Sequence, residues 1–98
     1  MAFTFTKEGY MKYISHLDLM RLFMRAFRRA GLPLKMSEGF NPHPKLSISR
    51  ALKLGVESEN EQAMVILKTA MRSEDFIAIM NRQLPIGIHL TSAQLELI

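Results

Sequence analysis

The chain has no cysteine. That excludes a disulfide framework, thiolate catalysis and any cysteine-ligated zinc or iron–sulfur centre, and it suits a reducing cytoplasm. No run approaches the ~18 consecutive apolar residues of a membrane span. The opening MAFTFTKEGY has neither the basic n-region nor the long apolar stretch of a secretion signal, so a soluble cytoplasmic chain without membrane contact is expected. Internal repeats and low-complexity tracts are missing too. Acidic residues are scarce where basic ones gather: up to Lys53, ten Lys and Arg face three Asp and Glu (+7), and the remainder sets three against six (−3). The formal charge of +4 therefore conceals a lopsided molecule, and an anionic partner is expected to approach its first half.

What is present suits one packed domain spanning residues 1–98. A chain of 98 residues builds a single core, and its 48% hydrophobic content with eight Met and six Phe predicts a Met-rich, adaptable interior. AFTFT, Ala2 to Thr6, alternates as a half-buried strand does. Ser15 is a good N-cap with Asp18 three residues on, Gly31 is a ready C-cap and Pro33 follows, so the helix runs from about His16 to Ala30. Its apolar face is read as Leu17, Met20, Phe23, Met24 and Phe27, flanked by Leu19, Ala26 and Ala30. LPLKMS reads as a second strand, LSISRALKLGV (Leu46 to Val56) as a third, ESENE as an acidic turn and QAMVILKTA as a fourth strand. Ser73, Glu74 and Asp75 open a second helix through about Leu84, and IHLTSAQLELI closes as a strand. The order β-α-β-β-(β)-α-β predicts a ferredoxin-like α+β sandwich, one antiparallel sheet with two helices on one face.

The polar chemistry is concentrated between Ser15 and Ser47. Arg21, Arg25 and Arg28 are spaced i, i+4, i+7 and project from one side of the helix, with Arg29 beside them, a geometry suited to gripping phosphates. The wet face of any amphipathic helix also looks like this; what favours an anion-binding reading is the company of Lys35, Lys45, Arg50 and Lys53, opposed only by Glu38. In GFNPHPK the two prolines stiffen the connection and display His43 and Lys45. A stiff turn is the plain reading, and a phosphate ligand or proton shuttle the functional one. Tyr10, Tyr13 and Phe40 suit either base stacking or the core. Ser15, His16 and Asp18 do not form a triad, because such neighbours point different ways and two of them are caps. His16 and His43 alone are a thin ligand set for a metal. His89 reads as a surface or core-edge residue.

These runs carry a family resemblance. Ser15-His16-Leu17-Asp18, Arg25-Ala26-Phe27-Arg28-Arg29-Ala30-Gly31-Leu32-Pro33, Ser37-Glu38-Gly39-Phe40-Asn41-Pro42-His43-Pro44-Lys45 and Leu54-Gly55-Val56-Glu57-Ser58 resemble the hallmarks of an uncharacterised bacterial domain linked to radical-SAM proteins. The resemblance spans roughly Lys7 to Glu61. Past it, Glu61-Gln62-Ala63-Met64-Val65-Ile66-Leu67 stands where the resemblance leads one to expect an aromatic and acidic strand of the E-Y-x-D-x-E-L type, and the chain reads as a short or truncated member. The resemblance implies a domain found as the C-terminal part of radical-SAM proteins with a cobalamin-binding-like region, or encoded beside them and near ribonuclease E/G-type enzymes. Without a cysteine cluster this chain is not itself the radical enzyme.

The expectation is thus a non-enzymatic accessory domain without cofactor. It would bind RNA or another phosphate-bearing substrate through Arg21, Arg25, Arg28, Arg29, Lys35, His43 and Lys45, with a radical-SAM protein as partner. The alternatives are an RNA-processing or RNA-modifying enzyme using His16 and His43 as acid and base, and a protein–protein adaptor for a radical-SAM partner.

Overall fold

A computed structural model describes residues 1–49 and 54–96. In chain order the elements are β1 (Ala2–Lys7), a 3₁₀ turn (Gly9–Tyr13), α1 (His16–Ala30), β2 (Leu46–Ile48), β3 (Ser58–Val65), α2 (Ser73–Asn81) and β4 (Leu90–Gln94). The four strands form one sheet in the order β2-β3-β1-β4, every pair antiparallel. This β-α-β-β-α-β arrangement is the ferredoxin-like α+β sandwich that the sequence pattern predicts.

The register explains the layering. Phe3 lies opposite Ala63 and Ala93, and Phe5 opposite Glu61 and Leu90, so this set shares one sheet face, as strand alternation requires. Both helices cover that face. Leu19, Phe23, Ala26 and Phe27 of α1 and Phe76 and Met80 of α2 are buried in one cluster with Phe3, Phe5, Ala63, Val65 and Leu90. The cluster is built of phenylalanine rather than the expected methionine. Phe3 stands 5.6 Å from Phe23, 6.4 Å from Phe27 and 5.5 Å from Phe76, and Phe5 meets Phe23 edge-on at 4.9 Å between centroids. Flat rings with few rotatable bonds pack tilted or edge-to-face in such a layer, and among the described residues only Met1 and Met80 are fully buried methionines.

α1 begins and ends where its caps place it. Ser15 Oγ accepts from the Asp18 N–H at 3.1 Å, and Gly31 takes the left-handed φ of 67° that closes the helix. Its buried face is rotated from the expected one: it centres on Leu19, Phe23 and Phe27, while Leu17 is exposed. Three strand assignments change as well. LPLKMS supplies only isolated bridges, Leu34 to Leu67 and Met36 to Pro44, because Pro33 and Pro44 have no N–H to extend a ladder. Of LSISRALKLGV, Leu46–Ile48 form strand β2, Leu54 to Val56 do not continue it, and Arg50 to Lys53 lie outside the described residues. ESENE is no turn: Ser58 to Glu61 begin β3, with Ser58 opposite Lys7. α2 stops at Asn81 rather than Leu84.

Two opposite charges lie inside this fold. Lys7 is fully buried and Glu61 almost so. Burial pushes the Lys7 ammonium below its ordinary value, and the negative Glu61 carboxylate offsets part of that shift. Removing one partner strands the other in the interior. Lys7→Met is therefore expected to lower the unfolding free energy by about 3–5 kcal/mol, and Lys7→Met with Glu61→Leu to restore most of it. Because the folded pKa lies below the ordinary value of 10.5, charging Lys7 opposes folding at any pH below that folded pKa. The handicap fades as pH climbs from there toward 10.5. Urea midpoints should show the wild type gaining on the double variant as pH rises through that interval.

Candidate functional site

The packing of α1 against the sheet turns Arg21, Arg25 and Arg28 outward, and all three are exposed. Arg21 reaches back to Asp18, Nη1 to Oδ1 at 3.5 Å; such an exposed pair contributes little to stability. Arg25 and Arg28 form no ion pair with any described residue.

At the C-terminal end of α1 the chain turns at Gly31 and runs past the end of β3. The Lys35 N–H donates to the Ile66 carbonyl at 2.9 Å, the Ile66 N–H to that of Lys45 at 3.1 Å, and the Lys68 N–H to that of Pro33 at 2.7 Å. These bonds align three backbone segments and leave a groove of ≈300 Å³ lined by Phe27, Arg28, Leu32, Pro33, Leu34, Met36, Pro44 and Lys68. The groove has an apolar floor and two cationic lips. Lys35 and Lys45 are exposed at the same end, Lys35 lining a neighbouring concavity with Glu96 rather than the groove itself.

Between Met36 and Pro44 the GFNPHP run forms a braced hairpin loop. The Ser37 N–H donates to the His43 carbonyl at 2.8 Å, and the His43 N–H donates back to Ser37 Oγ at 3.2 Å. The His43 ring folds over the same turn, its Nδ1 lying 3.1 Å from the Asn41 carbonyl and 3.1 Å from Ser37 Oγ. Nδ1 can donate to the carbonyl in one tautomer or accept from the Ser37 hydroxyl in the other; in either, Ser37 and His43 brace the loop. Phe40, at the tip, is fully exposed.

The model of the DUF2344 family, described as uncharacterised protein conserved in bacteria, matches residues 1–96. The chain belongs to this family. The match takes in the whole described fold, including the 61–67 stretch where the motif resemblance fades. No curated protein matches the chain, and no solved structure does.

Of the predicted site residues, the structure brings Arg28, Lys35, His43 and Lys45 to one end, with Arg25 leading up to it along α1. Lys68 joins them without having been singled out in the sequence: it lies far from the arginines in the chain, and only the pairing of the 33–36 segment with Leu67 and its neighbours places it there. Arg29 is drawn the other way. Its Nη2 donates to the Gln83 carbonyl at 3.0 Å and its Nε to Gln83 Oε1 at 3.3 Å, tying α1 to the segment after α2. His16 and His43 are not brought together. His16 is the first residue of α1, His43 follows its last turn, and fifteen helical residues span about 22 Å at 1.5 Å per residue.

The opposite face of the sheet holds a larger concavity of ≈470 Å³, with Ala2, Thr4, Ser47, Gln62, Met64 and Ser92 among its lining, Glu96 as its acid and no Lys or Arg among the described residues. Arg29→Ala should lower stability by about 1 kcal/mol through its lost hydrogen bonds yet leave retention on a phosphate-bearing matrix close to wild type. Urea titration and salt elution of one preparation measure the two effects separately.

Proposed function

We propose that this chain is a non-enzymatic cytoplasmic accessory domain of a radical-SAM system that holds RNA or another phosphate-bearing substrate. The observation that carries this reading is the groove at the end of α1, where Arg28 and Lys68 form no ion pair among the described residues beside Lys35, Lys45 and Arg25. A folded protein gains nothing in stability from gathering unneutralised cations on one end; a polyanion that displaces their counterions gains much. The radical-SAM partner rests on the motif resemblance, and RNA on the ability of guanidinium and ammonium groups to grip successive phosphates.

A second reading, an adaptor that docks on the radical-SAM protein, is supported at the other end of the molecule. There the 3₁₀ turn and its neighbours expose Tyr10, Tyr13, Leu17, Leu54, Val56 and Ile86, and exposed apolar groups of this size commonly meet protein. The Gly55 N–H bond to the Lys12 carbonyl, at 2.7 Å, and the Glu8 N–H bond to that of Gly87, at 2.8 Å, hold these segments side by side. Holding RNA and docking on a protein are compatible, because they use opposite ends.

Arg25→Glu with Arg28→Glu should abolish retention of a mixed RNA pool at low salt while leaving the circular-dichroism spectrum and melting temperature unchanged. Wild-type affinity should fall linearly in log–log form with salt. Retention by the double variant equal to wild type would reject the phosphate reading.

A further inference from the structure

We propose that the substrate is single-stranded nucleic acid, with one base stacked on Phe40 while Arg28, Lys35, Lys45 and Lys68 hold the flanking phosphates. This rests on the phosphate reading above and adds what that reading leaves open, the kind of polymer. The cations alone do not choose, because duplex, single strand and polyphosphate all present phosphates. Phe40 does choose.

Three observations make its ring a recognition element. First, it is fully exposed, whereas Phe3, Phe5, Phe23, Phe27 and Phe76 are buried in the core; it is the chain's one phenylalanine held in water. Second, its loop is rigid. Ser37 and His43 exchange hydrogen bonds across the turn, the His43 ring is pinned to the Asn41 carbonyl, and the prolines at 42 and 44 fix φ on either side of His43. The backbone that carries the ring is thus braced, and less of its conformational freedom is left to lose on binding. Third, the charge around it is one-sided. Met36 and Pro44, which close the loop, line the groove with Arg28 and Lys68, and the loop's own acid is Glu38. An exposed ring on the loop that borders a cationic groove is complementary to a polymer alternating flat aromatic faces with negative charge, and less so to a protein pocket, which would have to bury or neutralise those cations.

The strand state follows from the same geometry. Bases in a duplex are stacked on one another and offer no free face, whereas those of a single strand can leave the stack for an aromatic side chain. The open face of the sheet, where ferredoxin-like domains have room for such rings, presents Ala2, Thr4, Ser47, Gln62, Met64 and Ser92 and no exposed aromatic ring among the described residues. Stacking is therefore assigned to the loop.

The test uses the full chain and three probes: a fluorescein-labelled single-stranded RNA 12-mer, the same sequence annealed as a duplex, and inorganic polyphosphate as competitor. Wild type should bind the single strand more tightly than the duplex. Phe40→Ala should weaken single-strand binding about tenfold, within the range of one lost base–aromatic stack, and change duplex and polyphosphate binding less than twofold. Phe40→Trp should restore the preference. An exposed side chain carries no core packing, so both variants should melt with wild type.

Equal single-strand affinity for wild type and Phe40→Ala, with polyphosphate still bound, would overturn this inference and leave the phosphate reading standing. Equal weakening on all three probes would overturn it too, by making Phe40 a shaper of the loop. If wild type binds neither RNA nor polyphosphate, the phosphate reading fails and takes this one with it.

Discussion

The face-to-face packing of β1 and α1, Phe3 and Phe5 against Phe23 and Phe27, is the constraint on which the rest of the molecule depends. Each buried ring contributes a hydrophobic stabilisation of about 1.5–3 kcal/mol, and the tilted contacts between rings add direction to it. Once that stripe of α1 faces the sheet, the helix has no rotational freedom left. Arg21, Arg25 and Arg28 must point outward, and Gly31 must release the chain where β3 ends. The groove and the braced loop are built from that exit point.

Charge is handled differently at different depths. Lys7 and Glu61, taken out of water, are held together, and removal of either leaves an uncompensated ion. At the end of α1 the reverse holds: Arg28, Lys45 and Lys68 are exposed and form no ion pair among the described residues, and Lys35 beside them shares its concavity with Glu96. Arg29 shows what the fold does when it needs a guanidinium for itself, fastening it to Gln83 with two hydrogen bonds. Unlike Arg29, the groove cations carry no comparable internal duty, and so they form the surface from which a ligand would displace counterions.

α1 was the most legible element, because Ser15, Gly31 and Pro33 act locally and their backbone consequences do not depend on distant partners. Its buried face was less so. Leu17 lies about 120° around the helix from Phe23 at 100° per residue, on the flank of the buried stripe, whereas Leu19 in the same turn is buried; only the packed structure fixes where that stripe is centred. The polar run Ser58 to Asn60 was unreadable as strand for a related reason: β-pairing there comes from the neighbouring strand, opposite Lys7, and not from side-chain preference. The same holds for Lys68, which reaches the groove only through long-range pairing with the 33–36 segment. The basic helix and the rigid GFNPHPK loop, by contrast, were visible because charge and proline leave their mark in composition.

The central claim is that a phosphate-bearing ligand seats at the α1–loop end and leaves the open face of the sheet bare. Backbone-amide NMR of the ¹⁵N-labelled chain, titrated with a single-stranded RNA 12-mer, tests it most directly. The account predicts the largest shift changes at Arg28, Lys35, Phe40, Lys45 and Lys68, with Thr4, Gln62, Met64 and Ser92 unmoved. Changes concentrated on Thr4, Gln62, Met64 and Ser92, with the groove silent, would contradict it.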